Sequence, residues 1–247
     1  MQDLIDMVYS WFLAAILYFI LPWLTSFFGG KYTVSLATAL SNNHQKSISS
    51  SGANLKERFV NIAENQTGYY SGVYSNGNVT FPRKGNAESF LNGWTKYGPN
   101  TKMIKYNEAT GKNELMQMYE DTWMEPWCAA FVSWCADRAD VPANKFLRHS
   151  YASNMKSHND NSDNGTIYFT RNSTSYSPQR GDLIYYSWSS GSTINHVGIV
   201  YNVDADYVYT VEGNTSNGAT TKEYGGVYKR KQSKTNSQIV GYTRIAF

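Results

Sequence analysis

Cysteine is almost missing from this chain: 247 residues hold two, Cys128 and Cys135. That excludes a disulfide-stapled scaffold. No Cys/His spacing resembles a zinc site and no Asp-rich loop of the EF-hand type is present, so neither a metal nor another cofactor is expected. Charge of one sign is also lacking, with a net charge of +3. Lys and Arg are scattered apart from Lys229-Arg230-Lys231, which reads as a solvated strand end, and a dedicated nucleic-acid binder is thereby excluded. There is no internal repeat and no sign of a second folded domain; the length suits one domain plus an extra segment. What the chain has instead is 20 Tyr and 7 Trp, with Asn and Ser filling the loops. Such a composition suits a β-rich, extracytoplasmic protein with aromatic clefts.

Residues 7–30 carry no charge, and Val8–Phe28 is apolar over a length that crosses a bilayer. Residues 1–39 are therefore expected to be a signal peptide or a membrane anchor. Ala37-Thr38-Ala39 is a small-x-small site with cleavage expected before Leu40. Asp3 and Asp6, with no Lys or Arg beside them, are the wrong flank for simple export. The two alternatives stay open, with a mis-assigned start codon as a third. Residues 40–53 are Ser/Asn-rich and read as a flexible linker. The folded part is then 54–247.

Asn54 is placed to cap a helix from Leu55 to about Glu64. Residues 66–100 read mostly as loops, Glu108–Glu120 as irregular or a short helix leading to the helix at Cys128, and 143–180 as mostly loop. From Gly181 onward the strand signal takes over at 182–186, 196–203, 207–212, 226–229 and 239–245, joined by turn residues. Helices come first and strands later, so the expected class is α+β with an antiparallel sheet.

The chain is organised around Pro126-Trp127-Cys128-Ala129-Ala130-Phe131-Val132-Ser133-Trp134-Cys135-Ala136-Asp137. Phe131, Val132, Cys135 and Ala136 recur at helical spacing, and Pro126 suits a helix start. Cys128 then sits in the first turn, where unpaired N–H groups and the helix dipole favour thiolate over thiol. Cys135 reads as a buried small hydrophobe. Seven helical residues span about 10 Å, too far for a disulfide between the two.

Of the four histidines, His44 lies in the linker, and His149 and His158 in polar loops. His196 opens a strand whose neighbour ends in Val211-Glu212-Gly213-Asn214. If the intervening loop is three residues long, Val203 opposes Tyr207, His196 falls opposite Asn214, and Glu212 shares their face. A two-residue loop would send both polar side chains away, so the pairing needs odd parity. A carboxylate or carboxamide beside the imidazole would fix its tautomer, and Cys128 would complete a nucleophile, a base and an orienting residue.

Pro126–Trp134, Arg180-Gly181-Asp182-Leu183-Ile184, Asn195–Val200 and Val211–Asn214 resemble, in order and spacing, the CHAP family of cysteine- and histidine-dependent amidohydrolases/peptidases. The resemblance runs over roughly 54–247. It implies a papain-like α+β fold, with N-terminal helices packed on a C-terminal antiparallel sheet. It also implies hydrolysis of bacterial peptidoglycan, at the muramoyl–L-alanine amide or within the peptide. By it Cys128 is the nucleophile, His196 the base, and Glu212 and Asn214 its orienting partners. Tyr97 and Trp127 are candidates for substrate contact, Tyr97 also as an oxyanion donor. Some phage members hold calcium in an acidic loop ahead of the cysteine; Glu120, Asp121 and Glu125 lack the alternating pattern, so no metal is expected. A location at the outer face of the cytoplasmic membrane, or secreted, follows from the N-terminus. The rival readings are a membrane-tethered wall-binding or activator-gated module with little intrinsic activity, and a hydrolase of another small peptide amide.

Overall fold

The segment around Cys128 forms a helix, α3 (Cys128–Arg138), whose residues Cys128–Ala136 are all buried. It starts two residues after Pro126, and no side chain caps it. It stops at Asp140, which takes φ +59°. There Val141 N–H reaches Ala136 O at 3.0 Å and Asp140 N–H reaches Asp137 O at 3.1 Å. That paired closure is a Schellman motif. The computed structural model describes residues 31–48, 51–82, 92–107, 109–110, 112–117, 123–160, 165–189, 193–218 and 225–247.

In chain order the elements before α3 are β1 (Lys31–Ser35), α1 (Leu36–Ala39), α2 (Leu55–Asn65), β2 (Val73–Ser75), β3 (Asn78–Pro82), β4 (Lys102–Asn107) and β5 (Lys112–Gln117). After it come α4 (Ala152–His158), β6 (Ile167–Thr170), β7 (Leu183–Tyr186), β8 (His196–Val203), β9 (Tyr207–Thr215), β10 (Gly226–Ser233) and β11 (Ile239–Arg244). The main sheet runs β10-β9-β8-β7-β11-β6 and is antiparallel. Helix α3 packs on β8 and β9, and α2 packs on α3. This is the α+β, papain-like class expected. One sheet face, carrying Leu183, Tyr185, Val197, Ile199 and Val211, closes the main core with α2 and α3. The other carries Ile184, Tyr186, Val200, Val208, Ile239 and Tyr242.

Asn54 caps α2 as anticipated, its Oδ1 accepting from Glu57 N–H at 3.0 Å. Other expectations change. Within 66–100, read as loops, β2 and β3 form a hairpin through Asn76 (φ +49°) and Gly77 (φ +76°), the mirror-image turn that Asn-Gly favours. The stretch read as irregular holds β5, which pairs with β4 just upstream of it, Met103 opposite Met116 and Ile104 opposite Leu115. Each strand has two adjacent apolar residues, a pattern with neither a period of 2 nor of 3.6. Within 143–180 lie α4 and β6.

The segment taken for a flexible linker is tied down as far as residue 48. Lys96, fully buried, donates from Nζ to the carbonyls of Asn42 (2.7 Å), His44 (2.9 Å) and Lys46 (3.2 Å). Gln45 bonds both backbone groups of Tyr70 at 2.9 Å. Upstream of it β1 pairs with β3, and Ala39 is buried with Val79, Phe81 and Trp94. Residues 1–30, and with them the choice between signal peptide and anchor, lie outside the described residues; among those described, no helix is long and apolar enough to cross a membrane.

Candidate active site

His196 is the first residue of β8, and the hairpin that follows decides what stands beside it. The loop is not three residues long. Val203 opposes Val208, leaving four residues between them, closed by Asp204 N–H to Tyr207 O at 3.1 Å. Asp204 Oδ1 also accepts from the N–H groups of Asp206 and Tyr207. An even loop alone would put His196 and Glu212 on opposite faces. The register shifts by one between Val200 and Asn202, however, and beyond this bulge Val200 opposes Thr210 and Ile199 opposes Val211. A bulge inserts one unpaired residue and so restores the odd parity that the pairing requires.

With that register Glu212 lies over Gly198, two residues from His196 on the same face. His196 Nε2 meets Glu212 Oε2 at 3.0 Å. The other oxygen, Oε1, accepts from Tyr186 Oη at 3.0 Å and Thr210 Oγ1 at 2.6 Å. Glu212 is thus a buried carboxylate with three donors. Desolvation alone would raise its pKa, but the hydrogen bond and charge of His196, then Thr210 and Tyr186, bring it below the usual value. This cluster sits on the sheet face away from α3. Cys128, on the first turn of α3, meets it at the end of β8, where the Cys128 and His196 side chains hydrogen-bond.

Burial would push the Cys128 thiol up. The His196 imidazolium, its hydrogen bond, and N–H groups of Val197 and Ala129 directed at sulfur bring it below 9.0 instead. Burial would likewise depress His196, but the Cys128 thiolate and then Glu212 raise it from 6.5 to about 10. Both shifts favour a thiolate–imidazolium pair, anchored by the carboxylate. Cys135, deep in the core, is pushed well above 9.0 by burial and stays a thiol, though Lys96 pulls the other way.

The signs set a pH profile. The ion pair persists between the lowered Cys128 pKa and the raised His196 pKa. The His196 contribution to stability is complete below pH 6.5 and is lost as pH rises through about 10. That of Cys128 is present above 9.0 and is lost as pH falls through its folded pKa. A bell-shaped kcat/KM with its alkaline limb near pH 10 is the expected result. An alkaline limb close to 6.5 would mean that the pair does not form.

The other sequence candidates fall elsewhere. Asn214 makes its side-chain hydrogen bonds with Asn92 rather than with His196. With φ +54° it turns to Asn92, giving Nδ2 to Asn92 Oδ1 at 2.9 Å and accepting Asn92 N–H at 3.0 Å. Tyr97 and Trp127 are fully buried and so do not face substrate. Their rings pack 5.5 Å apart, Tyr97 also stands 5.1 Å from Phe131, and Tyr97 Oη donates to Gln66 Oε1. Aromatic character placed them in the cleft, whereas the core claimed them as backing for the first turn of α3. Gly213 allows this, since a Cβ there would lie 2.7 Å from Trp127 and Phe131. Glu120 and Asp121 are outside the described residues.

A cleft of about 490 Å³ opens over Cys128 and His196, with walls that include Trp188, Asn195, Asn214 and Arg230. A larger cavity, about 550 Å³, is lined by Leu55, Arg180 and Phe247 among others, and holds neither Cys nor His. Trp188 is 43% exposed, stacks on Tyr186 at 4.8 Å, and stands 5.4 Å from the His196 ring. Sequence reasoning missed Trp188 and Arg230. The first is a lone aromatic two residues past a strand, and the second was absorbed into a basic cluster.

Gly198→Ala tests the carboxylate anchor, since the new Cβ would lie 2.6 Å from Glu212 Cγ. We expect kcat to fall on the order of 10²–10⁴-fold, as when a triad carboxylate is lost. Overpacking should cost about 1–3 kcal/mol of stability. Steady-state kinetics with a denaturant titration check both. Unchanged kcat would show that Glu212 does not orient His196.

A thiolate at a helix N-terminus, facing a carboxylate-anchored imidazolium on an antiparallel sheet, defines the class as a papain-like α+β domain with a Cys–His site. Residues 120–214 match the CHAP domain model, a span that includes Cys128, His196 and Glu212. No curated protein matches the chain. Among solved structures it is similar to Ly7917 crystallised with the hydrolyzing product of MDP, at 24% identity and a TM-score of 0.33, over 48% of this chain and 53% of that one. It is also similar to a second Ly7917 crystal structure, at 22% identity and a TM-score of 0.28 over the same shares. The chain thus spans about half the length of the solved structures it matches.

Proposed function

We propose that the chain is a cysteine-dependent peptidoglycan hydrolase that cleaves an amide through a thioester. The observation that carries this reading is the hydrogen-bonded run Cys128–His196–Glu212 inside the span that matches the CHAP domain model. Cys128 Sγ attacks the carbonyl carbon, and the oxyanion is met by the N–H of Cys128 at a helix start that no side chain caps. His196 holds Glu212 through Nε2, so the Nδ1 proton is the one delivered to the leaving amine as the C–N bond breaks. Neutral His196 then takes a proton from water, the hydroxide attacks the thioester, and the C–S bond breaks to release a carboxylic acid, which gives its proton to solvent. The thiolate and imidazolium are restored.

Whether the bond is the muramoyl–L-alanine amide or one within the peptide is tested by product analysis. Purified peptidoglycan is incubated with the protein and with Cys128→Ala, and soluble products are read by mass spectrometry. Peptides with a free N-terminal L-alanine make it an amidase; cleavage within stem or bridge makes it an endopeptidase. Absence of Cys128-dependent release from every wall type tried would overturn the reading. The apolar stretch 8–28 supports action in the cell envelope.

A further inference from the structure

The cleft is chemically lopsided. The four strands bordering it run β7, β8, β9, β10 in space. Trp188 follows β7, His196 begins β8, Glu212 and Asn214 end β9, and Arg230 lies on β10. An exposed indole therefore stands on one side of the Cys128–His196 pair and a guanidinium on the other. Among the described residues, three titrating or charged side chains line the cleft besides Cys128: His196, Glu212 and Arg230. The first two satisfy each other at 3.0 Å. Arg230 has no carboxylate partner among the described residues. Its Nη1 donates to Ser216 O at 2.6 Å and Ser216 Oγ at 3.3 Å, which fixes the side chain in place. It opposes Thr210, on the same face as Glu212. A half-buried, pre-anchored guanidinium with spare N–H groups is suited to a carboxylate, which accepts its fork of donors at little further cost in side-chain entropy.

Resting on the hydrolase reading above, we propose that Arg230 is a specificity-determining residue that recognises a free carboxylate on the peptide part of the substrate. Adjacent strands lie about 4.8 Å apart, so β10 is roughly 10 Å across the sheet from β8, a span that an extended peptide covers in about three residues. The preferred substrate is then an acidic peptide whose carboxylate lies two or three residues from the scissile amide. The aromatic platform of Trp188 holds the opposite side of the bond.

The test uses pairs of synthetic stem-type peptides, alike except that one carries a carboxylate at that distance and the other its carboxamide. The wild type should favour the carboxylate in kcat/KM by at least about tenfold, chiefly through KM, as expected for a charge-assisted pair. In Arg230→Gln the ratio should collapse toward one, and Arg230→Lys should retain part of it. A general disturbance of the Ser216 contact would lower both peptides alike and leave the ratio standing, which would overturn the proposal. So would a wild-type ratio of one. If neither peptide is cleaved while Cys128-dependent release from peptidoglycan persists, the bond lies outside the stem peptide and the hydrolase reading stands. The peptides' affinities for Cys128→Ala, measured by calorimetry, then decide about Arg230 independently: tighter carboxylate binding supports it and equal binding overturns it.

Discussion

Cys128→Ala is expected to lower turnover by roughly 10⁴- to 10⁶-fold, whereas Cys135→Ala should keep nearly all of it. The two thiols share one helix and lie seven residues apart, yet their environments are opposite. Cys128 faces an imidazolium and two N–H groups and opens into the cleft. Cys135 is fully buried, and burial keeps its proton on. Removing Cys135 Sγ leaves a small void that should cost about 1 kcal/mol and no chemistry. Alkylation at neutral pH provides a check independent of substrate. Iodoacetamide should label Cys128 alone, and the label should vanish in Cys128→Ala. Labelling of Cys135 in the folded protein, or undiminished turnover by Cys128→Ala, would remove Cys128 from the role of nucleophile.

The second large effect concerns the segment before the helices. A protein beginning at residue 41 is expected to be less stable than one beginning at 31 by at least about 3 kcal/mol. The missing ten residues hold β1 and α1. They supply Ala39 to the cluster with Val79, Phe81 and Trp94, and Tyr32, Val34, Leu36 and Leu40 to its cover. Exposing one or two large side chains accounts for that figure. Extending the deletion through residue 48 also takes the carbonyls of Asn42, His44 and Lys46 from Lys96. An ammonium ringed by Tyr69, Tyr97 and Trp134 then loses its acceptors. Burial already brings that lysine down from 10.5 to about 7, with Cys135 opposing the shift and Arg138 adding to it. Denaturant midpoints of the three chains measure the cost. Equal midpoints would show that residues 31–48 add nothing to the stability of the fold. If the loss is found, processing at Ala39 would release a weakened domain.

Much of the site was legible because its signals are local. Asn54 at a helix start, the apolar spacing from Phe131 to Ala136, and the strand runs after Gly181 depend on near neighbours in the chain. A cysteine at the first turn of a helix already implies a lowered pKa. The β2–β3 hairpin was legible too, in Asn76-Gly77, but was read as loop because the surrounding stretch is Gly- and Tyr-rich. The linker was misread for a related reason: its Ser/Asn composition is that of a flexible segment, but a buried ammonium 50 residues on recruits its carbonyls. No composition rule registers a main-chain acceptor.

The sequence by itself determined the α+β class, the pairing of Cys128 with His196, and Glu212 as the carboxylate to look for. The class follows from residue type set against a local period, and the site residues follow from the resemblance of the segments that carry them. Only the tertiary structure decided that Glu212, not Asn214, holds His196. A bulge near Tyr201 inside β8 offsets an even loop and returns both residues to the imidazole's face, and Asn214 then turns at φ +54° to pair with Asn92, leaving Glu212 on His196. A one-residue slip reverses every side chain of a strand, and no single residue announces it. Tyr97 and Trp127 were likewise settled by packing. An aromatic ring satisfies a core or a cleft equally well until the backbone approaches of Gly213 and α3 are known.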